Sequence, residues 1–274
     1  MAAPKHKKRQ IFLQARARQK RIDVDAQTST HSGLLGFYET AFRRFKTVVY
    51  LITILPIYIL SSGILGIALV PGVIIFRHFT ALTANSHWLI QDLVIGVCIA
   101  TGYILYGISL VIIVPFINFV IRAKPKIFRG PYYSVDFLQW YMHNALTYLV
   151  RYTFLELITP TPFNLLFFRL MGMKIGDGTQ INTSNISDPS LIEMGRNVTI
   201  GGSATLCAHY GQEGYLIIAP VKIGDKVTIG LKASVLGGVT IGDSARVMPH
   251  SVVLPKTVIP PGEHWGGVPA VKLR

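Results

Sequence analysis

Charge and cysteine are both scarce in this sequence. Of 274 residues, 15% are Asp, Glu, Lys or Arg, against about 25% in ordinary soluble domains. Hydrophobic residues make up 50%, and the mean hydropathy is +0.44. That excludes a disordered or fibrous chain and argues against a fully soluble one. Two cysteines, Cys98 and Cys207, are too few for a disulfide framework or a thiolate-rich zinc site. Acidic residues are the scarcest charges, 13 against 27 Lys and Arg, leaving a formal net charge of +14.

The position of the charge narrows its meaning. Residues 1–46 carry a net +8, residues 47–129 a net +4 and residues 130–274 a net +2. A basic tail beside hydrophobic segments reads as a contact with anionic lipid headgroups. RNA binding by Lys5–Arg21 is the weaker reading, because no aromatic residues interleave the basic ones. No nucleic-acid partner is therefore expected.

Two runs lack charge altogether. Val48–Phe76 and Leu93–Ile121 each hold 29 uncharged residues, and a membrane-spanning helix needs about 20. Two such runs are rare in a soluble core. The first starts too late and is too long for a cleavable signal peptide. Eleven basic residues precede it, one Arg and no Lys lie in Arg77–Asp92, and Arg122, Lys124, Lys126 and Arg129 follow the second run. The asymmetry predicts both termini in the cytoplasm, with a short external loop.

Residues 131–171 are apolar but interrupted. Gln139, His143, Thr147 and Arg151 recur every four residues and would form a narrow polar stripe on a helix from about Asp136 to Ile158. Phe137, Trp140, Tyr141, Leu146, Tyr148 and Phe154 occupy the other faces, which suits an amphipathic helix at the headgroup boundary. Arg151 and Glu156 count against a third full span. Thr159-Pro160-Thr161-Pro162 ends the helix, and Phe163–Met171 reads as a short helix.

From Ile175 the period changes. Ile223, Ile229, Val235, Ile241, Val247, Val253, Ile259 and Trp265 stand six residues apart, and glycine follows at 224, 230, 242 and 266. The fifth residue of each unit is small or β-branched: Val227, Ala233, Val239, Ala245, Ser251 and Thr257. Earlier units begin at Ile175, Ile181, Met194, Ile200 and Leu206, with one extra residue within Ser187–Glu193. A six-residue period fits a short strand plus a tight turn, coiled as a solenoid. About fourteen units at three per turn predict four to five coils. Leu206 to Ile217 is eleven residues where one unit takes six. The five extra residues mark a loop leaving the solenoid, with His209 at its start and Ile217 restoring the phase.

The repeats IGDKVT IGLKAS VLGGVT IGDSAR VMPHSV VLPKTV and the ending GGVPAVK resemble the bacterial hexapeptide-repeat acyltransferases. The segments TPTPFNLLFFRLMGMKIG and ISDPSLIEMGRNVTIGGSATLCAH are similar to a membrane-anchored branch, including the C-terminal part of ε-poly-lysine-synthase-like proteins. The resemblance implies a mixed fold: two transmembrane helices and interfacial helices, then a left-handed parallel β-helix. The corresponding segments are a basic stretch at 1–46, a helical hairpin at 47–129, amphipathic helices at 130–172 and the β-helix at 173–274. It implies an acyltransferase, expected to be an acetyltransferase, with acetyl-CoA or another acyl-CoA as co-substrate and no metal. The expected assembly is a homotrimer, and the acceptor is a hydroxyl or amine on an envelope glycan, lipid-linked sugar or small molecule.

The resemblance also assigns roles. His209 matches the family's loop histidine, the general base that takes a proton as the acceptor attacks the thioester. His250, at a turn of a regular repeat, and His264 are weaker candidates. Asp188 and Glu213 both stay open as the acid that orients the imidazole. Cys207 as a nucleophile is less favoured. Lys256 and Lys272 are candidates for the coenzyme A phosphates, beside Pro269 and Ala270 of the family's closing motif. A γ-type carbonic anhydrase would need three zinc-binding histidines, two of them closely spaced, whereas His209, His250 and His264 lie far apart in sequence. A non-catalytic membrane-anchored scaffold is the remaining alternative.

Overall fold

The computed structural model describes residues 26–29, 31–132 and 134–273. The basic run Lys5–Arg21 lies outside them. Helix α1 (Gly33–Arg44) leads into α2 (Lys46–Leu82) and α3 (Trp88–Val120). At 1.5 Å per residue, 37 and 33 residues extend roughly 55 and 50 Å. Both helices are long and apolar enough to cross a membrane, whose hydrocarbon core is about 30 Å thick. Their outer faces expose large apolar side chains, among them Leu51, Tyr58, Ile99 and Phe116.

After α3 the chain forms a short strand, β1 (Phe128–Pro131), and then α4 (Val135–Val150). The regular helix stops earlier than the pattern suggests. Arg151–Leu155 widen into a π-helical turn that carries Phe154, only 3% exposed, against α3. Gly107 makes room for it, since any side chain there would overlap the Phe154 ring. The expected polar stripe is enclosed at its centre, while Gln139 is exposed and Arg151 half-buried at its ends. His143 and Thr147 are fully buried, and Phe137 and Leu146 are covered by protein rather than by a headgroup layer. The side chains of α4 are taken up on both sides because α4 is wedged between α3 and the solenoid. Pro162 opens α5 (Pro162–Leu170), where Thr161 Oγ1 accepts from Phe163 N at 3.2 Å.

The remainder coils in three flat faces. The first turn is β2 (Lys174–Ile175), β3 (Gln180–Ile181) and β4 (Ile186–Ser187). The second is β5 (Ile192–Met194), β6 (Thr199–Ile200) and β7 (Thr205–Cys207). A hairpin follows, β8 (His209–Gln212) and β9 (Tyr215–Ile218). The coil resumes with β10 (Val221–Ile223), β11 (Thr228–Ile229) and β12 (Ser234–Val235), then β13 (Thr240–Ile241), β14 (Arg246–Val247) and β15 (Val252–Val253). It ends with β16 (Val258–Ile259), β17 (His264–Gly266) and the antiparallel β18 (Val271–Lys272). Strands stack in parallel with their equivalents one turn away, giving the faces β2-β5-β10-β13-β16, β3-β6-β11-β14-β17 and β4-β7-β12-β15. This is the left-handed parallel β-helix of the expected fold, with four full turns and two strands of a fifth.

The repeat residues supply the core. Ile181, Ile200, Ile229 and Val247 stack inside one face, each at most 2% exposed. Corners recur at the same period: Asn197, Ser203, Lys226, Lys232, Ser244, His250 and Lys256 all have φ between 54° and 63°. Left-handed backbone costs a residue with a Cβ about 1 kcal/mol or more, and it persists because the stacked turns hold it. The prism core runs on through Phe167 and Phe168 to Leu146, Val114 and Ile64. Helices and solenoid are therefore packed as one body. Replacing Phe154 or Phe167 by Ala would cost about 3–5 kcal/mol.

Candidate active site

The site grows from two departures from the six-residue period. The first surrounds β4, where Ile186 pairs with Leu206 one residue early and Met194 follows it by eight residues instead of six. Asp188 begins this longer corner in left-handed backbone, φ 58°, at the start of the 3-10 turn Pro189–Leu191. Asp tolerates that conformation better than most residues. The second departure is larger than the sequence suggests. From Leu206 the next repeat position is Ile223, so the insertion is eleven residues, not five. Ile217 fits the phase by coincidence and lies on β9, paired with Tyr210 and Arg129.

The insertion is a strand pair rather than a loose loop. β8 and β9 join through Glu213 and Gly214, both at positive φ (51° and 77°), the requirement of a two-residue type I′ turn. β1 adds to β9 in antiparallel register, with Gly130 opposite Leu216. Leu216 and Ile218 then bury against Phe137 of α4. The hairpin is thus tied to the helical segment at its base, and His209 is its first residue.

His209 and Asp188 meet at this junction. His209 Nδ1 lies 2.6 Å from Asp188 Oδ2. The same oxygen accepts from Ala208 N at 3.0 Å. Oδ1 accepts from Trp140 Nε1 at 2.7 Å and from Asn144 Nδ2 at 2.6 Å. The Asp188 backbone N–H donates back to Asn144 Oδ1 at 3.2 Å. Asp188 is fully buried. Burial raises its carboxyl pKa, but the bonds and charge from His209, the Asn144 amide and the charge of His143 outweigh it and hold the group below the ordinary carboxylate range. An ionised carboxylate only accepts, so His209 Nδ1 carries the proton and Nε2 carries the lone pair. The His209 ring stands edge-on to Trp140, centroids 4.9 Å apart, and its side chain is 23% exposed.

One face of α4 builds this shell. Trp140, Asn144 and Tyr148 stand four residues apart, and Tyr148 Oη pairs with Ser187 Oγ at 2.8 Å. Arg151 continues the row to Asn185. These residues were missed from sequence, where Trp140 and Tyr148 read as interfacial aromatics. The one available signal was that Asn144 interrupts an otherwise apolar face. On the opposite side His143 Nδ1 contacts Asn118 Oδ1 at 2.9 Å and Ala123 O at 3.0 Å. Burial lowers its pKa to about 4 against the charge of Asp188 and the Ala123 carbonyl, which raise it.

The other candidates fall in three places. Glu213 is exposed at the hairpin turn, and among the described residues the carboxylate on His209 is that of Asp188. Cys207, one residue short of the insertion, has its thiol pushed up to about 11 by burial and by the charge of Asp188. Lys256 stands on the corner that His209 begins. Its N–H donates to Gly237 O at 3.1 Å, a Cβ on Gly237 would come within 3.0 Å of His209 N, and Lys256 Nζ lies 5.9 Å from the Tyr210 ring centre. Pro269 and Ala270 lie one turn higher over β15, the strand that leads into that corner, where Ala270 N donates to Val252 O at 2.8 Å. Lys272 is paired instead with Glu263, at 2.6 Å. His250 is an exposed corner residue with φ 58°, and His264 is on β17. Among the described residues no three His, Cys, Asp or Glu side chains converge to hold a metal ion.

No family model matches the chain. YvoF of Bacillus subtilis, a protein named as an acetyltransferase, is 32% identical over 144 residues, covering 47% of this chain and 80% of YvoF. A mitochondrial γ carbonic anhydrase 2 of Arabidopsis thaliana is 36% identical over 108 residues, covering 38% of this chain and 34% of that protein. Among solved structures, a hexapeptide-repeat acetyltransferase of Vibrio cholerae in complex with acetyl coenzyme A is 35% identical with a TM-score of 0.35. It matches 38% of this chain, which spans 60% of that one. The six-residue repeat, the three-faced coil and the similarity to most of YvoF agree, and the chain belongs to the hexapeptide-repeat acetyltransferase family.

Proposed function

We propose that this protein transfers an acyl group, foremost acetyl, from acyl-CoA to a hydroxyl or amine at a membrane surface, with His209 as general base. The observation that carries the reading is the His209–Asp188 pair under Trp140 and Asn144. An imidazole whose Nδ1–H is fixed on a buried carboxylate presents a basic Nε2. In the reaction Nε2 removes the proton from the acceptor O–H or N–H. The freed oxygen or nitrogen bonds to the thioester carbonyl carbon, the C–S bond breaks, and the departing thiolate takes the proton from the imidazolium. Asp188 stabilises the transient charge and stays ionised.

The corner column from His209 past Gly237 to Lys256, with Ala270 one turn higher over β15, supports the coenzyme A reading. Stacked strands rise about 4.8 Å per turn, so three turns extend roughly 14 Å, a length suited to an extended pantetheine arm. Lys256 offers a cation along that path, whereas Lys272 would first have to leave Glu263. Glu213 has no part in this reading.

Two apolar helices and the Lys and Arg asymmetry support anchoring in a bacterial inner membrane, with both ends and the β-helix cytoplasmic, where acyl-CoA is found. The flat faces of the prism suit packing into a homotrimer. The test is transfer from radiolabelled acetyl-CoA by the purified full chain to extracts of its native cells. Transfer that disappears in His209→Ala supports the reading. A chain that binds acetyl-CoA but labels nothing, or a His209→Ala variant of normal rate, overturns it.

A further inference from the structure

A cavity of about 420 Å³ shares Trp140 with the dyad. Its walls are the first turn of α2, at Lys46, Thr47 and Tyr50, the start of α4, at Phe137 and Trp140, and Tyr132 beyond β1. Small-molecule sites commonly measure about 300–1,000 Å³. Trp140 belongs to both places: one edge is on His209 and Asp188, and it also lines the cavity. Tyr132 joins them a second time, since a Cβ on Gly211 of β8 would come within 2.6 Å of Tyr132 Oη.

We propose that this cavity holds the headgroup of a lipid-borne acceptor, a compact neutral or anionic group on an aliphatic tail, which reaches His209 sideways from the bilayer. The proposal rests on the acyltransferase reading above and names its substrate class. Depth is the first argument. Lys46 is the last charged residue before the uncharged run that starts at Val48, so the cavity is level with the boundary between headgroups and hydrocarbon. Wall chemistry is the second. Flat aromatic faces suit the C–H surface of a ring or the first methylenes of a tail, while the Lys46 ammonium and the phenols give polar contacts that disfavour a cationic headgroup. Continuity is the third. One turn along α2 from Thr47 is Leu51, and two turns further is Tyr58, 59% and 63% exposed. That apolar row runs from the cavity along the outside of the helix, where a tail has somewhere to lie. A freely soluble acceptor would make no use of it.

The test supplies the full chain in detergent micelles with radiolabelled acetyl-CoA and two acceptor pools from its native cells, a chloroform–methanol extract and an aqueous extract. Label is expected in the lipid pool. Thr47 is exposed, so Thr47→Trp would fill the cavity without disturbing the core. It should cut lipid labelling at least tenfold while leaving acetyl-CoA binding unchanged. Ile99→Trp, on the exposed outer face of α3 and not in the cavity wall, should label normally and serves as the folding control. Label confined to the aqueous pool, or Thr47→Trp with unchanged lipid labelling, overturns the lipid acceptor and leaves the acyltransferase standing. Acetyl-CoA binding with no label in either pool overturns both.

Discussion

Trp140 and Asp188 are joined by a 2.7 Å bond from the indole Nε1 to the carboxylate Oδ1, and this links α4 to the corner that closes the first turn of the solenoid. Asn144, one helical turn on, donates to the same oxygen. Neither residue touches the opposite oxygen, which is left to His209 and the Ala208 amide. The arrangement makes both residues positioning groups. A hydrogen bond to a charged partner contributes about 1.5–3 kcal/mol, so Asn144→Ala should lower kcat about 10–150-fold with little change in the KM for acyl-CoA. Losing a donor also lets the Asp188 pKa rise, which should move the acid limb of the kcat profile to higher pH. A variant with normal kcat and an unmoved profile would show the bond to be structural only.

His143 provides a pH test that does not depend on activity. Its pKa is lowered to about 4 in the folded chain and is about 6.5 when unfolded. Between those values the unfolded state binds the extra proton. Stability is therefore complete above about pH 6.5 and is lost as pH falls toward 4. At about 1.36 kcal/mol per unit the loss is on the order of 3 kcal/mol. The melting temperature of the full chain in detergent should fall over this window. His143→Leu should flatten that part of the curve, even if its melting temperature at pH 7 is lower.

Cys207 is close enough to Asp188 for the carboxylate charge to raise its thiol pKa. With its thiol at about 11, the thiolate fraction at pH 7.5 is below 1 in 1,000 on that value. Alkylation at pH 7.5 should be slow in the folded chain, and Cys207→Ser should retain transfer within a few-fold. Rapid labelling with parallel loss of activity would restore Cys207 as a candidate nucleophile.

The sequence made the solenoid legible because a corner and an inward aliphatic residue every six positions are local requirements, repeated at each turn. The two long apolar helices were legible too, since each is an uncharged run long enough to cross a membrane. The shell around Asp188 was not. Trp140, Asn144 and Tyr148 serve partners 39 to 48 residues away, and an aromatic-rich helix face looks alike whether it meets lipid or protein. The hairpin was misjudged because Ile217 falls six residues before Ile223. Only the pairing of β9 with β1 shows that its phase has no meaning. His209 and Asp188 were both visible as breaks in the period, but choosing Asp188 over Glu213 needed the fold.

Topology is open to a direct check. Leu82 ends α2 and Trp88 begins α3, so the connection between them is short and Asn85 is at its tip. A reporter inserted at Asn85 should be active only outside the cytoplasm, and one fused after Arg274 only within it. The reverse result would place the dyad on the side without acyl-CoA and remove that donor.

The contrast between His209 and His250 tests the site most directly. His209 belongs to an insertion, its imidazole is partly exposed and its Nδ1 is on Asp188, whereas His250 is an exposed corner of a regular repeat. His209→Ala should reduce kcat about 10²–10⁴-fold, equivalent to roughly 3–5 kcal/mol of barrier, while acyl-CoA binding survives. His209→Gln, which can still bond Asp188 through its amide but offers no basic nitrogen, should be as inactive and should fold as well as the wild type. His250 has left-handed backbone at φ 58°, a conformation that Asn adopts with less strain than most residues, so His250→Asn is the fair control and should keep near-normal turnover. A His209→Gln enzyme that turns over normally, or a dead His250→Asn, would move the reacting centre away from the hairpin.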